Sequence, residues 1–140
     1  MRFSEEQAMR RDFTDCIRIR REYAAAKTDA DRAALAREVE ELQDRWRFGP
    51  HAEHWIYQID QYQQAMQYPD GALRAAMSPT GACAHPDLLT ETQKRSIRHA
   101  AQLMLEDPPK QFRATLNREL GQLIGTRPRR SNQRGVERGR

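Results

Sequence analysis

Cysteine, lysine, aromatic residues and long apolar runs are all scarce in this chain, and each scarcity excludes something. Cys16 and Cys83 are the two cysteines in 140 residues. They are too few and too far apart for a disulfide framework or a zinc ribbon, so free thiols are expected. Aromatics make up 7% and hydrophobic residues 38%, enough for one small core and no more. The longest apolar stretches are alanine runs such as residues 24–26, far short of the roughly 20 residues that a membrane-spanning helix requires. Glu5 and Glu6 arrive before an apolar signal segment can form, so a cytoplasmic protein with no membrane association is the expectation. The seven glycines are scattered, which leaves no phosphate loop and no dinucleotide fingerprint.

Charge is what the chain has in quantity. Asp, Glu, Lys and Arg make up 31% of it; of 24 basic residues only Lys27, Lys94 and Lys110 are lysines, and the net charge is +4. The excess sits at one end. Arg127, Arg129, Arg130, Arg134, Arg138 and Arg140 face only Glu137 within residues 126–140, a net +5, so residues 1–125 carry about −1. That segment is poor in apolar residues and reads as a flexible basic tail, disordered when alone. The globular part has no overall reason to seek polyanions.

Helical period dominates the rest, and no strand pattern is found. Ser4 and Gln7 suggest a capping box ahead of a helix over about 5–27, whose apolar positions Met9, Phe13, Cys16, Ile17, Tyr23 and Ala24 recur at three- and four-residue spacing. Thr28 offers a new N-cap with acid in the first turn, and Leu35, Val39, Leu42 and Trp46 form a heptad-type seam in a second helix. Two such helices most economically make an antiparallel hairpin over 1–48. Gly49 and Pro50 separate it from a third helix reaching about Tyr68, with Trp55, Ile56 and Ile59 as core. Pro69, Asp70 and Gly71 read as a turn before a short helix to Met77, which completes a segment over 50–77. Residues 78–87 form the longest internal loop. Thr90 and Gln93 make another capping box, opening a C-terminal helix pair over 88–125. Ile97, Ala101, Met104 and Leu105 are expected to be buried in its first helix; Phe112, Leu116, Leu120, Leu123 and Ile124 stripe its second. The expectation is an all-α small bundle of about five helices, one domain over 1–125, followed by the tail at 126–140.

Function is read from three surfaces. Guanidinium groups always carry charge and pair bidentately with phosphate, so the tail arginines are expected to contact DNA or RNA. Lys110 and Arg113, near the start of the last helix with Gln111, Ala114 and Asn117, are candidate contacts of a helix-turn-helix-like pair over 91–124. Against that stand Glu106 and Asp107 at the turn, which would meet phosphates. Lys94, Arg95, Arg98 and His99 cluster on the preceding helix, where a solvated charged face is the simpler reading. The third helix has tyrosines and glutamines and no Lys or Arg from His51 to Tyr68. That makes a poor single-strand platform, because stacking there works together with a cationic groove. Its outer residues Tyr57, Gln61, Gln64 and Tyr68 are instead expected to meet a protein partner. The seam of the second helix also suits pairing between chains, a homodimer.

Catalysis, metals and cofactors are not expected. Cys83, His85, His51 and His54 fit no zinc spacing, and Cys83 beside His85 has no third group to complete a nucleophilic triad. The reading that follows is a small non-enzymatic binding or regulatory protein, its helical body on a protein and its tail on nucleic acid. A protein-only adaptor or inhibitor using the third helix is the competing class.

Overall fold

A computed structural model describes residues 1–77, 88–110, 112, 113 and 118. The fold is all-α, with five helices among the described residues: α1 (Phe3–Ala25), α2 (Asp29–Arg47), α3 (Ala52–Gln67), α4 (Pro69–Met77) and α5 (Glu91–Glu106). The chain divides into two compact units, Met1–Asp107 and Pro108–Arg140. The boundary falls where Pro108 and Pro109 remove two backbone donors. In the second unit the Pro109 carbonyl accepts from the Phe112 and Arg113 amides at 3.0 and 3.2 Å, one helical turn. The tail at 126–140, with Leu116, Leu120, Leu123 and Ile124 of the expected last stripe, lies outside the described residues.

Helix ends follow side-chain chemistry. The Thr28 hydroxyl accepts from the Asp31 amide at 3.1 Å, and Thr90 and Gln93 satisfy each other's backbone amides at 3.1 and 2.9 Å. The start of α1 differs from expectation. Its cap is Arg2, whose amide donates to the Glu5 carboxylate at 2.9 Å, so Phe3 and Ser4 already lie in the helix. An acid three residues on is a stronger acceptor than the Gln7 amide expected to serve Ser4. Pro69, Asp70 and Gly71 likewise form the first turn of α4 rather than a separate turn, because proline suits the start of a helix. Gly49 lies where a Cβ would stand 3.0 Å from the Arg45 carbonyl, so a larger residue would press on the last turn of α2.

The α1 and α2 helices form the expected antiparallel hairpin, since Asp12 meets Arg45 and Trp46 at one end while Glu22 and Ala26 lie near Ala34 and Leu35 at the other. Met9, Phe13, Cys16, Ile17, Trp55 and Leu103 make the buried core, and Val39, Leu42, Trp46, Ile59 and Tyr62 pack onto it. The α2 seam therefore faces the chain's own core. Rings set the contact: Phe13 meets Trp55 and Tyr62 edge-on at 5.6 and 5.9 Å, and Trp46 stacks on Trp55 at 6.3 Å. The Trp46 indole donates to Asp12 Oδ2 at 2.8 Å.

Burial departs from the expected stripes in three places. Tyr23 and Ala24 are exposed at the hairpin tip, where only alanine-rich turns of α1 and α2 meet. Ile56 is 52% exposed, because Trp55 fills the inward position beside it. On α5 the inward residues are Ser96, Ala100, Ala101, Leu103 and Met104, whereas Ile97 and Leu105 are half-buried. Small Ser96, Ala100 and Ala101 let α3 come close, so α5 turns that face inward. Truncating Trp55→Ala is expected to lower unfolding free energy by about 3–5 kcal/mol. Ile56→Ala should change it by less than about 0.5 kcal/mol. Urea denaturation of the two variants checks this, and comparable losses would contradict the placement of α3.

Candidate functional site

The α1 and α5 helices run parallel, share the core through Leu103 and are joined along their outer side by polar side chains. Glu6 pairs with Thr92 and Arg95, Arg10 with Thr92 and Ser96, Thr14 with His99, and Arg18 and Arg21 with Glu106. These long polar links hold the helices farther apart than α3 and α5, and an open groove of about 400 Å³ lies along the seam. Its walls are Phe3, Gln7, Arg10, Arg11 and Thr14 from α1 and Arg95, Arg98, His99 and Gln102 from α5.

Glu6 is the anchor of this seam. It is 1% exposed, and its carboxylate accepts from Arg95 Nη2 at 3.0 Å and Arg95 Nε at 2.5 Å, from Thr92 Oγ1 at 2.7 Å, and from Arg10 Nη1. The Arg95 guanidinium, against the opposing cost of burial, and then Arg10 and Thr92 hold the Glu6 carboxyl down at about 2. Arg10 also donates through Nη2 to the Thr92 carbonyl at 2.9 Å and to Ser96 Oγ at 3.0 Å. Behind this layer, buried Gln58 of α3 donates to the Ser96 carbonyl at 3.1 Å.

One buried carboxylate thus faces two guanidinium groups, and the wall keeps an excess of positive charge. Arg11 is exposed and forms no ion pair among the described residues. Arg98 lines the same groove, half-buried. His99 adds no charge at neutral pH, since burial and then the adjacent Arg10 hold its imidazole below the ordinary value. Thr14 gives its proton to the Arg10 carbonyl at 2.9 Å, so its oxygen accepts from His99 Nε2 at 2.9 Å and fixes that tautomer. Phe3 stands at the end of the groove, 57% exposed, with the Arg95 guanidinium carbon 5.3 Å from its ring centroid. This arrangement suits an anion: guanidinium groups along both walls, the Gln7 and Gln102 amides beside them and an aromatic face at one end.

The sequence-derived candidates fall in several places. Arg95, Arg98 and His99 come together with α1 to line the groove; Lys94 instead pairs with Glu91 at 3.1 Å. Lys110 and Arg113 lie in the second unit, both exposed, with Arg113 Nε donating to the Pro108 carbonyl at 3.1 Å. The tail arginines Arg127, Arg129, Arg130, Arg134, Arg138 and Arg140 lie outside the described residues. On α3, Gln64 and Tyr68 are exposed, while Tyr57 and Gln61 are half-buried on the flank of a face formed by Glu53, Ile56, Asp60, Gln63, Gln64 and Gln67. Glu106, expected to confront phosphates, is held below its ordinary value chiefly by Arg18, then Arg21. Arg21 also reaches Asp107 at 3.7 Å.

His51 Nε2 meets Glu5 Oε2 at 2.9 Å, and the His51 and His54 ring centroids are 6.3 Å apart. Cys83 and His85 are outside the described residues, and no group of three His, Cys, Asp or Glu side chains is placed to hold a metal ion among the described ones. Cys16 is buried, which pushes its thiol up to about 11. No helix among the described residues is long and apolar enough to cross a membrane.

The groove residues missed by sequence reading are Phe3, Glu6, Arg10 and Arg11. A signal existed for the arginines, which sit with Gln7 and Thr14 on a polar flank of α1 at helical spacing. No protein-family model, curated protein or solved structure matches the chain.

Glu6→Gln removes the negative charge that both arginines share, and is expected to cost about 3 kcal/mol, the low end for breaking a buried pair because Arg95 reaches water. Because the folded-state value near 2 lies below the ordinary 4.5, this stabilisation is complete above about pH 4.5 and is lost as pH falls toward 2. Urea midpoints between pH 6 and 2 should therefore fall more steeply for the unaltered chain than for Glu6→Gln. Parallel pH profiles would show that Glu6 is not the anchor.

Proposed function

We propose that this chain is a small non-enzymatic binding protein that engages nucleic acid through the α1/α5 groove together with the arginine-rich segment 126–140. The observation that carries this reading is the groove wall. Arg10, Arg11, Arg95 and Arg98 lie along one seam, and no Asp or Glu is among its lining residues. Glu6 offsets one of the two guanidinium charges that hold it, and the charge that is left, with exposed Arg11, is neutralised by an external polyanion, whose condensed counterions are released on binding. The six arginines of the tail supply the same chemistry on a segment free of a core stripe.

A second reading, a protein-only adaptor, is favoured by the exposed Ile56 and Tyr68 at 52% and 64%. Of the outer residues on α3, Gln64 and Tyr68 are exposed, and Tyr57 and Gln61 are half-buried.

Fluorescence anisotropy with labelled oligonucleotides across a salt series separates the two. Affinity should fall steeply with salt, and Arg11→Gln with Arg98→Gln should reduce the log–log slope by about 0.7–0.9 per lost phosphate contact. Replacing the six tail arginines by Gln should reduce it further. Binding that is absent, or indifferent to salt and to both sets of substitutions, would dismiss nucleic acid in favour of the adaptor.

A further inference from the structure

Resting on the nucleic-acid reading above, the geometry points to single-stranded nucleic acid as the ligand of the α1/α5 groove, with an unstacked base seated on Phe3 and the adjoining phosphates on Arg11 and Arg98. Phe3 is a large apolar side chain in the first turn of α1, yet it is 57% exposed instead of joining the core. Its ring is not idle: the Arg95 guanidinium lies over it at 5.3 Å, and Arg95 is itself clamped by two hydrogen bonds to buried Glu6. The pair is therefore a fixed, cation-backed aromatic surface beside a cationic groove, the two parts that sequence-tolerant single-strand binding combines.

Size and reach point the same way. A groove of about 400 Å³ lies at the small end of ligand clefts. It accommodates a nucleotide unit or two, not the body of a duplex. In a duplex the base faces are stacked on one another, so only phosphates are offered and Phe3 has nothing to receive. Single strands offer both. Neutral His99, held by Thr14, sits between the arginines as a hydrogen-bonding group without adding charge.

The test uses the full chain and labelled oligothymidine, oligouridine and a mixed-sequence duplex, each measured by anisotropy. Phe3→Ala should weaken both single strands by about five- to a hundredfold while leaving duplex affinity unchanged. Phe3→Trp should restore the single strands, and circular dichroism melting checks that each variant folds. If Phe3→Ala binds both single strands as well as the unaltered chain does, while Arg11→Gln with Arg98→Gln weakens every probe, base stacking is overturned and the nucleic-acid reading survives. If no form of the protein binds any of the three probes, both fall together.

Discussion

The Glu6 carboxylate is taken out of water one turn into α1 and held by donors from two helices that are some ninety residues apart in sequence. A charge buried in this way costs several kcal/mol unless nearly every lone pair finds a donor. Arg95, Thr92 and Arg10 supply four hydrogen bonds, and in doing so they leave α5 one register against α1. Sliding either helix by a turn would leave Glu6 charged and unpaired. The lower rungs, Thr14 with His99 and Arg18 and Arg21 with Glu106, then fall into line because both helices rise by the same amount per residue and run in the same direction. Apolar packing stabilises the bundle, but it is indifferent to small shifts along a helix axis. The ion cluster is not.

The same interaction opens the groove. Helices joined by Leu or Ala approach closely; helices joined by arginine and glutamate side chains stand off, and the space between them is lined by whatever the linking residues do not use. Two guanidinium groups against one carboxylate overcompensate it, so satisfying Glu6 leaves positive charge on the wall where exposed Arg11 adds more. The clamp also fixes Arg95 in place, and an immobilised guanidinium loses less entropy on meeting a ligand than one free in solvent.

Much of the fold was legible. Thr28 and Thr90 announce helix starts because their hydroxyls accept from amides three residues on, and Met9, Phe13, Cys16 and Ile17 are buried as their spacing requires. The groove was less legible. Arg95, Arg98 and His99 could be seen to cluster, but their partner Glu6 lies 89 residues from Arg95, and no local period reports a contact across that separation. A buried acid looks in sequence like any other first-turn acid favoured by the helix dipole. Phe3 reads as a residue flanking a Ser4 cap until Arg2 takes the cap and draws Phe3 into the helix. The rule that stacking aromatics need a cationic groove points away from α3, whose Tyr62 hydrogen-bonds Arg21 beside the core, and toward Phe3, which lines a groove with four arginines.

The net charge of residues 1–125 concealed this because it averages two faces of α1. Toward α2, a second cleft is lined by Asp15, Glu22, Glu38 and Glu41 against Arg18 and Arg45; toward α5, Glu6 and Glu106 are taken up in ion pairs and the open groove is lined by arginines without acids. A sum near zero is then the signature of separation rather than of neutrality. A helix with its side chains is about 10–12 Å across, and the screening length at physiological ionic strength is about 8 Å. An approaching phosphate at the α5 side therefore feels the groove arginines at close range and little of the acids behind them. At lower salt the acidic cleft reaches through and opposes them, while the groove's own attraction also strengthens. The two faces act independently only because salt isolates them, which makes the local wall, and not the domain's total, the quantity that decides whether a polyanion is held.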